Sequence, residues 1–219
     1  MNPEAFGPLR ENRFFFTDGH YVYSDDEVLP DVVAHEIHPV AGDQSMRGFV
    51  WQDCFYTRYG RWTYFDITGQ LRALSYHHVA DATDVCLLDQ NELLIVEHFD
   101  PATAFIVATD DHRYLCDAER VGYIRANNVQ PRHIKGAKGA HFRRVANLPF
   151  VTDGQRIRLG EKLCKDLDAN QLHAIPVPAG RNEQSNSAHY FRCGEAIGHI
   201  DRNWGRWRDA QRLYVFTEK

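Results

Sequence analysis

The first 112 residues contain no lysine and only six arginines, against 19 aspartates and glutamates. That half therefore carries a formal charge of −13, while residues 113–219 carry +8, and the chain as a whole carries −5. A charge asymmetry of this size gives information about binding partners rather than about the fold. It favours an acidic surface that attracts a basic partner. The alternative, in which the two halves neutralise each other across an internal or dimer interface, stays open.

Long apolar runs are also absent, and none approaches the roughly 18 residues that a membrane span requires. The start of the chain, MNPEAFGPLRENRFFF, lacks the basic and apolar regions of a secretory signal. The cysteines are odd in number, contain no CxxC pair, and predict neither a complete disulfide framework nor a zinc site of cysteine pairs. A cytoplasmic protein is expected. The five cysteines are Cys54, Cys86, Cys116, Cys164 and Cys193.

Catalytic motifs are missing as well. The chain has no GxSxG nucleophile motif and no GxxxxGK[ST] phosphate loop. His35 and His38 are three residues apart, whereas a zinc-protease helix needs a spacing of four. We therefore predict no enzyme, no catalytic residue, no bound metal and no cofactor. The basic stretch RHIKGAKGAHFRR (132–144) leaves one alternative open, an enzyme or binding module for a nucleotide or phosphate. Nucleic acid is not expected as a partner, because the charge of the acidic half argues against a large footprint.

An internal repeat relates two distant segments. FTDGHYVYSDDEVLPDVVAHEIH (16–38) aligns without gaps over VTDGQRIRLGEKLCKDLDANQLH (151–173). Apolar positions keep their register, and Thr-Asp-Gly predicts a tight turn in both copies. Each copy predicts a turn, a strand, a second turn and a return strand, and a partial third copy opens at Thr109. The identical positions are Thr17/Thr152, Asp18/Asp153, Gly19/Gly154, Asp31/Asp166, Ala34/Ala169 and His38/His173.

Short strand patterns fill most of the remaining chain, and helix signals are poor. We predict a mainly β fold of tandem β-hairpin repeats, stacked into one compact or two-lobed array with little helix. The acidic half 1–107 and the basic half 108–219 are expected to share one core. The predicted strands are 20–24, 47–52, 54–58, 61–66, 70–76, 84–89, 93–98, 104–108, 113–116, 121–125, 155–159, 171–177, 188–193, 196–201 and 212–217.

Segments of these repeats resemble two known families of repeat proteins. A turn and hairpin with aromatic strand residues, followed by an ending like Asp-x-x-Thr-Phe-x-Val, resembles the DKNYW repeat family of bacteria, and segments 14–40, 100–107 and 151–177 carry it. The stretch YGRWTYFDITGQLRAL (59–74) is similar to a WG-type β-repeat. These families share no common chemistry. The resemblance implies membership of compact bacterial families, some of which are immunity proteins against toxins.

The expected function is therefore binding. The hypothesis is an immunity protein that neutralises a cognate toxin, such as a nuclease, by occluding its active site. Acidic side chains would meet the toxin's basic surface and aromatic side chains would anchor it. No membrane partner is expected, and an oligomerising scaffold is a further alternative. The predicted partner-binding residues are Asp25, Asp26, Glu27, Asp53, Tyr56, Asp110, Asp111 and Trp204.

Overall fold

The computed structural model describes residues 6–9, 14–24, 27–42, 48–52, 54–57, 60–63, 71–75, 77–89, 92–125, 128–175, 189–200 and 213–216. The chain forms two compact units. The first comprises residues 1–106 with 127–130, and the second comprises residues 107–126 with 131–219. The sharing of one core by the halves 1–107 and 108–219 stays a prediction.

The first unit contains three small sheets built from consecutive hairpins. The first sheet is β1 (Gly7–Pro8), β2 (Phe15–Thr17), β3 (Tyr21–Ser24) and β4 (Glu27–Val33). The second is β5 (His38–Pro39), β7 (Phe49–Trp51), β8 (Cys54–Thr57) and β9 (Gly60–Thr63). The third is β6 (Ala41–Gly42), β10 (Arg72–Ser75), β11 (His78–Ala80), β12 (Val85–Asp89) and β13 (Glu92–Val96), in which only β6 and β10 pair in parallel among the described pairs.

The second unit repeats this pattern. The fourth sheet is β14 (Phe105–Ala108), β15 (Arg113–Cys116), β16 (Val121–Ile124) and β17 (Arg132–His133). The fifth is β18 (Arg143–Arg144), β19 (Phe150–Thr152), β20 (Ile157–Leu159) and β21 (Lys162–Cys164). The sixth is β22 (Leu172–Ile175), β23 (His189–Cys193), β24 (Ala196–Ile200) and β25 (Leu213–Phe216). A 3-10 turn at Gly139–His141 precedes β18.

The predicted mainly β fold of stacked hairpins is confirmed. Each of the fifteen predicted strands overlaps an observed strand. Of the ten other strands, β4 and β21 lie where the repeat predicts return strands. The sequence pattern missed the remaining eight, each of two or three residues, because so short a segment carries no readable alternation. No helix in the described ranges is long and apolar enough to cross a membrane. The missed strands are β1, β2, β5, β6, β11, β17, β18 and β19.

Sheets of the first unit pack face to face, as the second sheet shows. Side chains alternate along its strands, so cross-strand pairs share a face. The pairs Phe49–Tyr56 and Trp51–Cys54 lie in the core formed with the first sheet. Val50–Phe55 lies in the core formed with the third sheet. A strand covered on both faces is nearly continuously apolar, and β7 and β8 are buried throughout, with Thr57 their one polar residue.

The second unit is stacked in the same way. Tyr114 of the fourth sheet packs its ring against Phe142, 5.1 Å between centroids, and donates a hydrogen bond to the Gly160 carbonyl of the fifth sheet. Phe150 of the fifth sheet meets Phe191 of the sixth edge-on at 5.2 Å. Each interior sheet therefore covers its neighbour's apolar face, as in repeat proteins.

One turn joins the second and third strands of the meander in four of the six sheets. In each turn an aspartate Oδ1 accepts hydrogen bonds from the backbone N–H groups two and three residues further on. The carboxylate thus satisfies two donors that the tight turn would otherwise leave unpaired. Gly19 and Gly154 follow two of these aspartates with φ of 90° and 89°. The aspartates are Asp18, Asp81, Asp117 and Asp153.

These turns correct the register of the third repeat copy. As predicted, Thr17-Asp18 in the first copy corresponds to Thr152-Asp153 in the second. In both copies the glycine that follows the aspartate donates a backbone hydrogen bond to the threonine hydroxyl. Thr109, however, lies one strand earlier, in the turn between β14 and β15. The true equivalent is Asp117, which is 36 residues after Asp81 and 36 before Asp153. The sequence reading missed that spacing because the flanking residues differ.

Replacing Asp153 by alanine is expected to reduce the free energy of unfolding by about 2 kcal/mol, because two backbone donors lose a charged acceptor. Asp153→Asn keeps Oδ1 and should lose less than half as much. Urea unfolding of both variants measures the difference. Equal losses in the two variants would show that the oxygen acceptor does not stabilise the turn.

Candidate functional site: the outer face of the first sheet

Strand alternation divides the first sheet into a buried and an exposed face. Phe15 and Val22 point into the core shared with the second sheet. The intervening residues Phe16 and Tyr23 face the other way and are cross-strand partners, and Tyr23 in turn pairs with Val28. An aromatic and aliphatic row therefore crosses β2, β3 and β4 on the side away from the core.

Aromatic contacts extend this row toward the chain start. Phe6 stacks on Phe16 with centroids 5.7 Å apart, and it meets Tyr23 edge-on at 5.4 Å. The Tyr23 hydroxyl donates a hydrogen bond of 3.0 Å to Asp18 Oδ2, which links the row to the turn at its end. Burial, followed by this hydrogen bond to the carboxylate, raises the pKa of Tyr23. The phenol is therefore a protonated donor at neutral pH.

The row is only partly open to solvent: Tyr23, which Phe6 contacts, is 7% exposed, whereas other side chains of the row are exposed. Five large apolar side chains are exposed in the described ranges, and three of them lie here: Phe6 at 45%, Tyr21 at 47% and Val28 at 48%. Isolated exposed apolar residues are ordinary, whereas a contiguous group marks an interaction surface. We call the group formed by Phe6, Phe16, Tyr21, Tyr23 and Val28 the aromatic face.

Carboxylates accompany the aromatic face. The described residues from 6 to 42 contain four of them and no lysine or arginine. Glu27 is exposed at the start of the edge strand β4, and Asp31 is exposed within that strand at φ 70°. Glu36 accepts a hydrogen bond of 3.2 Å from the indole of Trp51. Residues 6–42 carry seven carboxylates and two arginines in all, so this segment is net negative, which suits a cationic partner.

The predicted partner-binding residues do not lie together on one surface of the described structure. Glu27 is exposed beside the aromatic face. Asp110 lies in the second unit, where it is exposed and pairs with Arg144 at 3.0 Å, and Asp111 is half-buried in the same turn. Four predicted residues lie outside the described ranges: Asp25, Asp26, Asp53 and Trp204.

Tyr56 is placed in the core. Its side chain is 5% exposed and stacks on Phe49 with centroids 5.0 Å apart, and the Arg61 guanidinium lies 5.6 Å from its ring centroid. A residue this buried stabilises the packing of the first two sheets and does not offer a surface to a partner. Phe6 and Tyr21, by contrast, are exposed. Strand alternation on β3 was the signal that could have found Tyr21, whereas Phe6 precedes β1 and no strand pattern marks it.

A polar cluster between the fourth and fifth sheets was not predicted. Arg125 and Arg132 both contact Glu161 Oε2, at 2.6 Å and 3.1 Å. His112 Nδ1 lies 2.9 Å from the Tyr123 hydroxyl, and burial, followed by the Glu161 charge, raises the pKa of Tyr123. These residues come from segments far apart in sequence, and only the stacking of the two sheets brings them together.

Arg158 lies at the buried end of this cluster with 8% of its surface exposed. It donates to the Glu161 carbonyl at 3.3 Å, while its Nε and Glu161 Oε1 have no hydrogen-bond partner in the described part of the chain. A buried guanidinium is costly unless it is compensated, and the ion pairs of the described residues join the Glu161 carboxylate to Arg125 and Arg132 rather than to Arg158. The cluster is well suited to join the two sheets.

Two of the described cysteines are poor nucleophiles. Burial, followed by the charges of Asp81 and Asp84, raises the pKa of the Cys86 thiol to about 12. Burial likewise raises the pKa of Cys116, so both are neutral thiols at pH 7 and poor nucleophiles. Among the described residues, no group of three or more His, Cys, Asp or Glu side chains is placed to hold a metal ion.

Comparisons with protein-family models, with curated proteins and with solved structures find no match for this chain. Function therefore has to be argued from its own surfaces. The aromatic face is the strongest of these in the first unit, because Phe6, Tyr21 and Val28 are exposed on it and the segment that forms it is rich in carboxylates.

Proposed function

We propose that this protein is a binding protein whose aromatic face docks onto a basic protein partner. One observation carries the proposal: Phe6, Tyr21 and Val28 are each nearly half exposed on a single sheet face with no described lysine or arginine around them. Large aromatic side chains supply most of the binding energy at protein interfaces. A rigid sheet presents them with little loss of entropy.

Charge complementarity selects the partner. The first 112 residues carry −13, so a basic surface is attracted over a distance of about a Debye length before contact. In such interfaces the charges mainly raise the association rate, while the desolvated apolar anchors lower the dissociation rate. A partner with an acidic docking surface would be repelled.

The specific form of the proposal is a cytoplasmic immunity protein that neutralises a cognate toxin. The resemblance to DKNYW repeats supports this form. A nuclease toxin must present a cationic cleft to bind phosphates, and the aromatic face with its carboxylates is complementary to such a cleft. Docking there would exclude the nucleic acid sterically, without any chemical step by this chain.

The test begins with capture of partners by the tagged chain from its native host. The expected partner is a basic protein, recovered in stoichiometric amount, that is toxic when expressed alone and harmless when co-expressed with this chain. Tyr21→Ser should weaken its binding about 30-fold, which corresponds to a hot-spot loss of about 2 kcal/mol. Tyr190→Ala is the matched control, since Tyr190 is 40% exposed in the sixth sheet.

Three outcomes would reject the proposal. The captured protein could be acidic, Tyr21→Ser could bind as tightly as the unmodified chain, or Tyr190→Ala could weaken binding as strongly as Tyr21→Ser. A basic protein could also be captured that no longer binds the Tyr21→Ser variant and is not toxic. That result would support the binding function and contradict the immunity function.

A further inference from the structure

A cationic loop lies between two aspartate turns of the second unit. The loop 134–142 connects β17 to β18, and therefore the fourth sheet to the fifth. The Ala140 N–H donates to the Ala118 carbonyl in the Asp117 turn at 3.0 Å. On the other side, Arg156 of the Asp153 turn donates to the Gly136 carbonyl at 3.4 Å. The loop and both turns therefore form one edge of the stacked sheets.

The loop is held in place by buried apolar residues. Ile134, Ala137 and Phe142 are each at most 6% exposed, and Phe142 packs against Tyr114. Backbone hydrogen bonds from Ile134 to the Val121 carbonyl and from Phe142 to the Gly139 carbonyl, each 2.8 Å, complete the anchoring. Charged side chains on such a loop are presented from a pre-organised backbone.

The charges on this edge, those of Lys135, Lys138, Arg143 and Arg156, are positive, and the described residues include no carboxylate paired with them. Residues 121–152 contain no aspartate or glutamate. Lys135, Lys138, His141, Arg143 and Arg156 are all exposed, and no ion pair joins them to a carboxylate within the described ranges. Arg125, Arg132 and Arg144 differ, because Glu161 and Asp110 neutralise them.

Neighbouring carboxylates do not cancel this charge. Asp153 is 5% exposed, and its Oδ1 accepts from two backbone N–H groups of its own turn. Glu119 is the exposed carboxylate of the Asp117 turn, and among the described residues no ion pair joins it to these basic side chains. Arg143 pairs with Thr152, the residue before Asp153, and so lies at the same edge. We call Lys135, Lys138, His141, Arg143 and Arg156 the basic edge.

We propose that the basic edge binds the phosphodiester backbone of a nucleic acid. Cations spread over a loop, a strand and a turn suit an extended polyanion. No aromatic side chain is among them, so bases would not be stacked or read, and binding would be independent of sequence. A membrane surface fits less well, because the basic edge has no exposed apolar residue to insert beside its cations.

This inference is independent of the proposed protein-binding function, since it uses residues of the second unit alone. The aromatic face belongs to the first unit and contributes no cation to the basic edge. The −13 charge of the first 112 residues repels phosphates, so the nucleic-acid footprint is confined to a few phosphates.

Fluorescence anisotropy with random 20-nucleotide single-stranded RNA, single-stranded DNA and duplex DNA tests the proposal. The unmodified chain should bind at 50 mM salt and weaken steeply by 200 mM salt, as non-specific backbone binding does. The double variant Lys135→Ala/Arg156→Ala should weaken binding at least tenfold. It should also lower the slope of log affinity against log salt by about 2 for duplex DNA.

The matched control is Arg113→Ala/Lys162→Ala, which also removes one arginine and one lysine. Both residues are exposed at the opposite ends of strands from the two aspartate turns. This control should change the affinity for nucleic acid less than twofold. Tyr21→Ser should leave the affinity for nucleic acid unchanged. A thermal melt of each variant confirms that the fold is retained.

Four results would overturn the proposal. They are absence of binding at 50 mM salt, equal losses in the two double variants, binding of polyglutamate as tight as that of RNA, and binding to anionic vesicles without binding to any nucleic acid. Loss of nucleic-acid binding with Tyr21→Ser would instead place the site on the aromatic face.

Discussion

Gly139→Ala is expected to reduce the free energy of unfolding by about 3 kcal/mol or more. A Cβ at this position would overlap the backbone carbonyl oxygen of Asp117 and approach that of Arg120 at 2.5 Å. Backbone atoms in a hydrogen-bonded turn cannot move aside as a flexible side chain can, so the loop itself must shift. Guanidinium chloride unfolding, followed by tryptophan fluorescence, measures the loss.

The control is another glycine. Gly7 has no heavy atom within 4 Å of the position that a Cβ would take. Gly7→Ala should therefore leave the free energy of unfolding within about 0.5 kcal/mol of the unmodified value. Comparable losses in the two variants would show that the contact between the loop and the Asp117 turn is not close-packed. Because the loop carries Lys135 and Lys138, Gly139→Ala should also weaken nucleic-acid binding.

Phe55→Ala is expected to cost about 3–5 kcal/mol, the largest loss of any single truncation considered for the first unit. The ring is 1% exposed and lies in the core between the second and third sheets, beside Val50 and Leu71. Truncation leaves a cavity between two sheets that are held apart by their other side chains, so it cannot close. Urea unfolding should show a lower midpoint with the slope little changed.

Phe6→Ala is the contrasting change, because it removes an identical side chain from the aromatic face. The Phe6 ring is 45% exposed, so its removal should cost under about 1 kcal/mol. It should nevertheless weaken partner binding, whereas Phe55→Ala acts through stability alone. Equal stability losses at Phe6 and Phe55 would contradict the assignment of one ring to the surface and the other to the core.

Local rules explain why much of the fold was predictable. A turn such as Thr17-Asp18-Gly19 depends on its own side chains: aspartate accepts two nearby N–H groups, and glycine takes a positive φ. These interactions need no partner from elsewhere in the chain. The alternating residues around each turn then select strands, which is why fifteen segments could be predicted from sequence.

Burial was less predictable than strand formation. The run LLIV (93–96) predicts a buried strand, but β13 is the edge strand of the third sheet and Ile95 is 55% exposed. Tyr56 and Tyr21 are the same residue type in similar strand patterns, yet one is in the core and the other on the aromatic face. The strands of an interior sheet and of an outer sheet have similar residue composition and similar alternation, so these patterns do not distinguish the two.

The sequence by itself determined the hairpins, the aspartate turns and the charge of each half, because these depend on neighbouring residues or on composition alone. Only the tertiary structure decided which faces are covered. Stacking buried Phe55 and left Phe6 exposed, and it brought Arg125, Arg132 and Glu161 to one point. It also placed Lys135 beside Arg156. The physical reason is that sheet packing joins residues far apart in the chain, and no local pattern encodes which sheet lies next to which.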